Sequence, residues 1–291
     1  MGEAGFDRGV PMALLADRGV VAVTGPDAAK LLGGIITNDL ELLDRQPAIF
    51  AGLLSPQGKI LFDFFIVRDF GGEGFLLDVA HDQAASLVKR LTLYRLRAKV
   101  EIRDRSGEFS VYAAWGPQPG GYPDPRDATL GWRGVAHGAL SPEDAEVAIH
   151  RGQRIAAGIP EGGKDYDFGD AFPHEANFDL LNGVSFEKGC YVGQEIVARM
   201  QHRGTVRKRI VRVTGASDLP ATRPDVKMGD VVIGRLGSVA GKAGLAMLRL
   251  DRAIEAIDKG EAITVEGIAL EVDPGMIARQ RKLMAEKASQ A

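Results

Sequence analysis

The sequence predicts an α+β protein of two or three domains that closes on a small β-barrel or sandwich. Its 291 residues exceed or reach the size, ~250–300 residues, at which a single core stops growing. Apolar runs broken by turn residues alternate with a stretch of helical periodicity in the first half. From Lys208 onward the pattern changes to short apolar strands separated by glycine-rich turns.

Each element has a local reason. Val20 to Val23 reads as a strand, and Gly25-Pro26 opens a short helix over Asp27 to Leu32, with Pro26 at a first-turn position. Thr37-Asn38-Asp39-Leu40 marks a turn. Ala48 to Leu54, Ile60 to Arg68 and Phe75 to Asp78 form three apolar runs, separated by Ser55-Pro56-Gln57-Gly58 and Gly71-Gly72-Glu73-Gly74, which predicts an antiparallel meander. Asp82 is placed to cap a helix whose Ala84, Leu87, Val88 and Leu91 share a face. Strands are expected at Val100 to Arg103 and Phe109 to Trp115, then a loop over Pro117 to Asp127. Ser141-Pro142-Glu143 has the composition of a helix start, and that helix is expected to reach about Gly158. Gly162 to Gly193 is polar and weakly periodic, a length at which irregular segments tend to be functional. Later strands are expected at Arg209 to Val213, Val231 to Leu236, Ala243 to Leu248, Ala262 to Val265 and Ile268 to Val272. The charged, Ala-rich tail after Met276 is expected to fray.

Composition narrows the function. With 45% hydrophobic and 26% charged residues, the chain is globular in type, and no run approaches the ~18 apolar residues of a membrane span; no membrane partner is expected. Glu3 and Asp7 beside Arg8, with no apolar leader, make the cytoplasm the expected compartment. A net charge of -3 argues against a surface devoted to nucleic acid. The single cysteine, Cys190, excludes an internal disulfide, and one thiolate falls short of the four that hold a conventional iron–sulfur cluster. The histidines, His81, His137, His150, His174 and His202, show no metal-binding spacing, so no metal is assigned.

Phe186-Glu187-Lys188-Gly189-Cys190-Tyr191-Val192-Gly193-Gln194-Glu195 is the most informative stretch. Glycines on both sides of Cys190 remove steric cover and permit unusual backbone angles. Helical character over Glu195 to Met200 puts the thiol just before a helix N-terminus. Lys188, and Arg199 if the helix folds back, would then favour the reactive thiolate. The bland alternative is a buried, inert thiol. Lys188-Gly189-Cys190-Tyr191-x-Gly193-Gln194-Glu195 resembles the signature of the YgfZ family, which includes mitochondrial iron–sulfur assembly factors. Thr37 to Leu40, Leu54 to Asp63, Pro173-His174-Glu175-Ala176-Asn177 and Gly234 to Arg249 are similar to further blocks of that family, so the resemblance covers nearly the whole chain.

The resemblance implies a three-domain cloverleaf of the aminomethyltransferase type: a discontinuous α+β domain over 1–47 plus 128–203, a second α+β domain over 48–127, and a C-terminal β-barrel with tail over 204–291. It implies a central tetrahydrofolate site and a role beside iron–sulfur client or assembly proteins. On this reading Cys190 carries the chemistry with Lys188, Gln194 and Glu195, and Gly189, Tyr191 and Gly193 shape the loop. Glu175 takes the pterin-recognising role, for which a carboxylate's paired acceptors suit a pterin's paired donors. Asp63 and Asp78 correspond to folate-contacting positions, although Phe62 stands where aminomethyltransferases carry a second acid, and Asp63 also has the alternative of pointing to solvent. Arg199 is assigned to folate as the nearest member of a basic run, Arg199 to Arg209, whose outer members Arg207 to Arg209 read equally well as a solvated linker.

Three functions compete. The first is a tetrahydrofolate-binding accessory protein in iron–sulfur cluster assembly or repair, acting through Cys190 without aminomethyltransferase activity. The second is a true folate-dependent aminomethyltransferase, which needs an intact acid pair and no cysteine. The third is an RNA-binding accessory factor in tRNA modification, using the basic run. Phe62 and Cys190 both favour the first.

Overall fold

The computed structural model describes residues 11–72, 74–116, 120–138, 144–203 and 206–289. The chain forms two compact units, Met1–His150 with Phe178–Gln194, and Arg151–Asn177 with Glu195–Ala291.

In the first unit the chain runs β1(Met12–Leu14), β2(Arg18–Thr24), α1(Ala28–Gly33), β3(Ala48–Leu54), β4(Ile60–Arg68), β5(Gly74–Ala80), α2(Ala84–Arg95), β6(Glu101–Asp104), β7(Phe109–Ala114), β8(Tyr122–Pro123) and β9(Trp132–His137). These strands make a five-stranded sheet in the order β3-β4-β5-β2-β6 and a four-stranded sheet in the order β1-β7-β9-β8. The meander expected from the turn residues is β3, β4 and β5, paired antiparallel. Every residue of β3 is buried, which explains its unbroken apolar run: both faces of a covered strand must be apolar. Strand β4 divides its side chains by the period of two. Phe62, Phe64 and Ile66 enter the core that also takes Leu32, Leu87 and Leu91 from α1 and α2. Asp63 and Phe65 share the opposite face, where Phe65 lies across from Phe50 and from Asp78.

Strand β2 pairs with β5 and β6, so the domain boundary expected at residue 47 falls inside a hydrogen-bonded sheet. The expected cap at Asp82 is also corrected. His81–Gln83 forms a short 3-10 turn, and α2 begins after Gln83 with no side-chain capping bond. The helix start assigned to Ser141-Pro142-Glu143 lies outside the described residues. The helix that follows, α3(Asp144–Ala156), ends near the expected point.

The second unit contains α4(Gln194–Arg203) from Glu195 onward, then β10(Lys208–Gly215), β11(Asp225–Met228), β12(Val231–Ala240), β13(Ala243–Arg249), α5(Leu250–Lys259), β14(Ile263–Val265), β15(Ile268–Val272) and α6(Pro274–Ala288). The six strands close into a barrel in the order β10-β13-β12-β11-β14-β15. Its core unites Val211, Val226, Leu236 and Leu248 with Ala253 and Ile277 from α5 and α6. The tail that was expected to fray is therefore largely helix. Asp273 accepts from the Met276 amide, Pro274 occupies the first turn, and buried Gln280 donates to the Val206 carbonyl. Arg209, read as linker, is buried as well and donates to the Asn177 side chain at 3.1 Å.

Candidate functional site

Cys190 is a free, exposed thiol on a loop without helix or strand that ends where α4 begins at Gln194. What holds that loop is a set of polar contacts to residues far away in sequence. Thr37 Oγ1 donates to the Gly183 carbonyl at 2.6 Å, the Ser185 amide donates to the Thr37 carbonyl at 3.0 Å, and Asn38 Nδ2 donates to the carbonyls of Phe50 and Asn182 at 2.7 and 2.6 Å. Thr37 and Asn38 are buried, so these bonds are shielded from competing water. The sequence read this pair as a turn; it staples the approach to the cysteine.

Lys188 completes the attachment. Its ammonium donates to the carbonyls of Gly33, Ile36 and Asn38 at 2.9, 2.9 and 2.8 Å and lies 5.3 Å from the centre of the Tyr191 ring. An ammonium has three N–H donors, and three carbonyls take them. Lys188 was expected to favour the thiolate; the structure turns its charge instead toward backbone at and beyond the end of α1. Burial pushes the ammonium down to about 8, opposed by Asp39.

The rest of the motif fits the same picture. Gly193 has φ +82, and a Cβ there would lie 2.7 Å from the Ser55 carbonyl oxygen, against the turn between β3 and β4. Only glycine suits that combination of backbone angle and close approach. Gly189 meets nothing within 4 Å, which leaves the flank of Cys190 open. Gln194 Oε1 accepts from the Tyr191 amide at 3.3 Å while the Gln194 amide donates to the Tyr191 carbonyl at 3.2 Å, a reciprocal pair that closes the helix start. Tyr191 is buried, and desolvation pushes its hydroxyl up to about 12. Glu195 is exposed in the first turn of α4, where a carboxylate complements the helix dipole.

Asp63 and Asp78 share a sheet face, but neither faces solvent: they are 5% and 1% exposed. Arg18 Nε and Arg133 Nε each donate to a different oxygen of Asp78 at 2.6 Å. Burial alone would raise the Asp78 carboxyl, but Arg133 and Arg18 outweigh it and hold the group below the ordinary carboxylate range. The ring of Phe65 lies 4.1 Å from the Arg133 guanidinium carbon and 4.7 Å from that of Arg126, which is itself paired with Asp124. Asp78 is thus the hub of a buried ion cluster, and the folate contact expected of it does not fit a carboxylate so enclosed. Sequence reasoning missed Arg18 and Arg133; their only signal was an arginine within otherwise apolar strands.

The other candidates belong to the second unit. Glu175 Oε2 accepts from the Phe172 amide at 2.9 Å, closing a turn. The Glu175 carbonyl and the Asn177 side chain bind the two backbone groups of Ile210 on β10, each at 2.9 Å. Glu175 and Arg199 line one groove of about 480 Å³ with Lys208 and Arg249. Among the described residues no group of three or more His, Cys, Asp or Glu side chains could hold a metal ion, and no helix is long and apolar enough to cross a membrane.

Taken together, an aminomethyltransferase-type α+β scaffold, a closed C-terminal barrel and an anchored loop with an exposed thiol define the class of protein. Comparison with known proteins agrees. The fold is similar to glycine cleavage system aminomethyltransferase T from Bartonella henselae, with a TM-score of 0.67, 16% identity, and coverage of 90% of this chain and 84% of that one. Residues 207–277 match the family model described as CAF17, C-terminal beta-barrel domain. The mitochondrial iron-sulfur cluster assembly factor IBA57 of Mus musculus is 36% identical over 81% of this chain and 76% of its own length, and that of Homo sapiens 34% over 80% and 76%. The homologue from Mycosarcoma maydis is 37% identical over 76% of this chain. The chain belongs to the IBA57 family. It spans 60% and 56% of the length of the two fungal relatives from Mycosarcoma maydis and Neurospora crassa. The cytoplasmic expectation is overturned by these relatives, whose names place them in mitochondria; it had rested on the lack of a visible leader.

Proposed function

We propose that this chain is an accessory factor in iron–sulfur cluster assembly, as its relatives are named, and that the Cys190 thiol is the group that meets the sulfur or cluster being handled. One observation carries the cysteine reading: a lone thiol is exposed on a loop whose other motif residues, Lys188, Tyr191, Gly193 and Gln194, are spent on holding it there. A single thiolate cannot satisfy a cluster, so the cluster is cargo whose remaining ligands come from a partner. The kinship with YgfZ drawn from the motif supports the same role.

Tetrahydrofolate enters as the ligand of the fold type, with Glu175 as the residue that would recognise the pterin. Asp78 is left out, being enclosed by two arginines. Aminomethyl transfer is not part of the proposal, because Phe62 replaces one acid of the pair that chemistry uses.

The test has two independent halves. In cells lacking their own factor, Cys190→Ser is expected to leave iron–sulfur enzyme activities unrestored, where the parent chain restores them. Full rescue by Cys190→Ser would end the cysteine reading. Titration of the purified chain with tetrahydrofolate is expected to give saturable heat, and a flat titration would remove folate while leaving the first half standing.

A further inference from the structure

We propose that the groove of the second unit formed by Arg199, Lys208 and Arg249 above Ile196, Met200 and Val206 is a docking site for a short peptide segment of a partner protein that combines carboxylates with an apolar side chain.

The groove, of about 480 Å³, joins two chemistries. Helix α4 presents Ile196, Arg199 and Met200 at spacings of three and four residues, which places them on one face, and all three line it. Some arginines elsewhere are matched to acids, among them Arg68 with Asp44, Arg252 with Glu255 and Arg281 with Asp258. Arg199 and Lys208 have no such partner among the described residues. Glu175 is the one acid lining the groove, and its Oε2 is turned to the Phe172 amide. Arg249 is paired with Asp251 at 2.6 Å, so the charge the groove offers is that of Arg199 and Lys208, and such cations above an apolar floor complement an anion that carries an apolar group.

A nucleic acid would match the cations, but the neighbouring space disfavours it. A second groove of about 370 Å³, which shares Glu175, Lys208 and Arg249, is also lined by Asp170 and by Asp167 and Asp225, whose partners Arg223 and Arg235 line it too. A phosphate chain following both grooves would find the added arginines of the second already paired with acids, and so would gain few of the phosphate contacts on which nucleic-acid affinity depends. A short segment that places its carboxylates at the basic end does not need the second groove.

The test uses the full chain and fluorescence anisotropy with four labelled probes: a short synthetic peptide of Glu and Asp interspersed with Leu and Phe, its Gln/Asn counterpart, an acidic peptide with Ser in place of Leu and Phe, and an oligouridine of equal charge. The first is expected to bind tighter than the other three, and to weaken as salt rises. Arg199→Glu combined with Lys208→Glu is expected to weaken it about tenfold or more with an unchanged melting temperature, both side chains being exposed. Met200→Ser is expected to reduce affinity for the apolar-acidic peptide and not for the Ser-containing one. Cys190→Ser is expected to bind as the parent does, which separates this proposal from the cysteine reading. Tighter binding of oligouridine than of the first peptide, or indifference to the double charge reversal, would overturn it.

Discussion

The ammonium of Lys188 sits 2.8 Å from the backbone carbonyl oxygen of Asn38, and Asn38 in turn donates its side-chain amide to the carbonyl of Asn182 at 2.6 Å. Two segments some 150 residues apart in sequence are thereby tied on both sides of the approach to Cys190. Lys188→Met keeps the apolar stem and removes all three donors. It is expected to cost ~1–3 kcal/mol, the penalty for under-satisfied polar groups, and to raise both amide exchange over 186–194 and the rate of Cys190 alkylation. Lys188→Arg is not expected to rescue, since a planar fork cannot converge its donors as an ammonium does. Unchanged exchange in both variants would show that the loop holds itself.

The same lysine gives a pH dependence with a definite sign. Its folded value, about 8, lies below its ordinary 10.5. Between those values the unfolded chain holds more protons, so stability contributed by this group rises with pH across the window and is lost as pH falls through about 8. Urea unfolding of parent and Lys188→Met between pH 7.5 and 10 should therefore show the parent gaining relative to the variant as pH rises. A difference that stays flat or shrinks would contradict the burial of that ammonium.

Gly189 and Gly193 look alike in the sequence and differ in the structure. Gly193→Ala forces a Cβ to 2.7 Å from the Ser55 carbonyl at a backbone angle of φ +82, and is expected to destabilise by ~1–3 kcal/mol. Gly189→Ala meets open space and is expected to stay within ~0.5 kcal/mol of the parent, while slowing Cys190 alkylation by bulky reagents. Melting temperatures and alkylation rates of the pair read the two effects separately.

What was legible in the sequence follows from how local the cause is. The meander β3 to β5 and the barrel strands showed themselves because turn residues and apolar runs act over a few positions. The exposed thiol was legible for the same reason, through its flanking glycines. Helix α6 was hidden because Asp273-Pro274-Gly275 has the composition of a turn, although Asp-Pro is also a cap followed by a first-turn proline. The direction of Lys188 and the enclosure of Asp78 were out of reach, since each depends on partners more than 50 residues distant.

Asp78 gives a prediction of larger size. Asp78→Asn would leave Arg18 and Arg133 buried without their carboxylate, and breaking a buried pair from one side costs ~3–5 kcal/mol. Because Asp78 titrates below its ordinary 3.8 when folded, its contribution is present above 3.8 and is lost as pH falls through the lower folded value. Parent and variant should differ fully in urea midpoint at pH 7 and approach each other only in strong acid. Equal midpoints at pH 7 would mean the cluster adds nothing.

Glu175 is bound up with both structure and ligand, and two substitutions separate them. Its Oε2 accepts from the Phe172 amide, a bond worth ~1 kcal/mol, so Glu175→Ala should lose that much stability together with any ligand contact. Glu175→Gln retains an acceptor for the amide and so is expected to keep the turn. It cannot, however, offer two acceptors side by side to the paired donors of a pterin. Tetrahydrofolate affinity is therefore expected to fall in both variants, while thermal stability falls in Ala alone. If calorimetry finds Glu175→Gln binding tetrahydrofolate as tightly as the parent, Glu175 is a turn residue only, and the pterin must be recognised elsewhere.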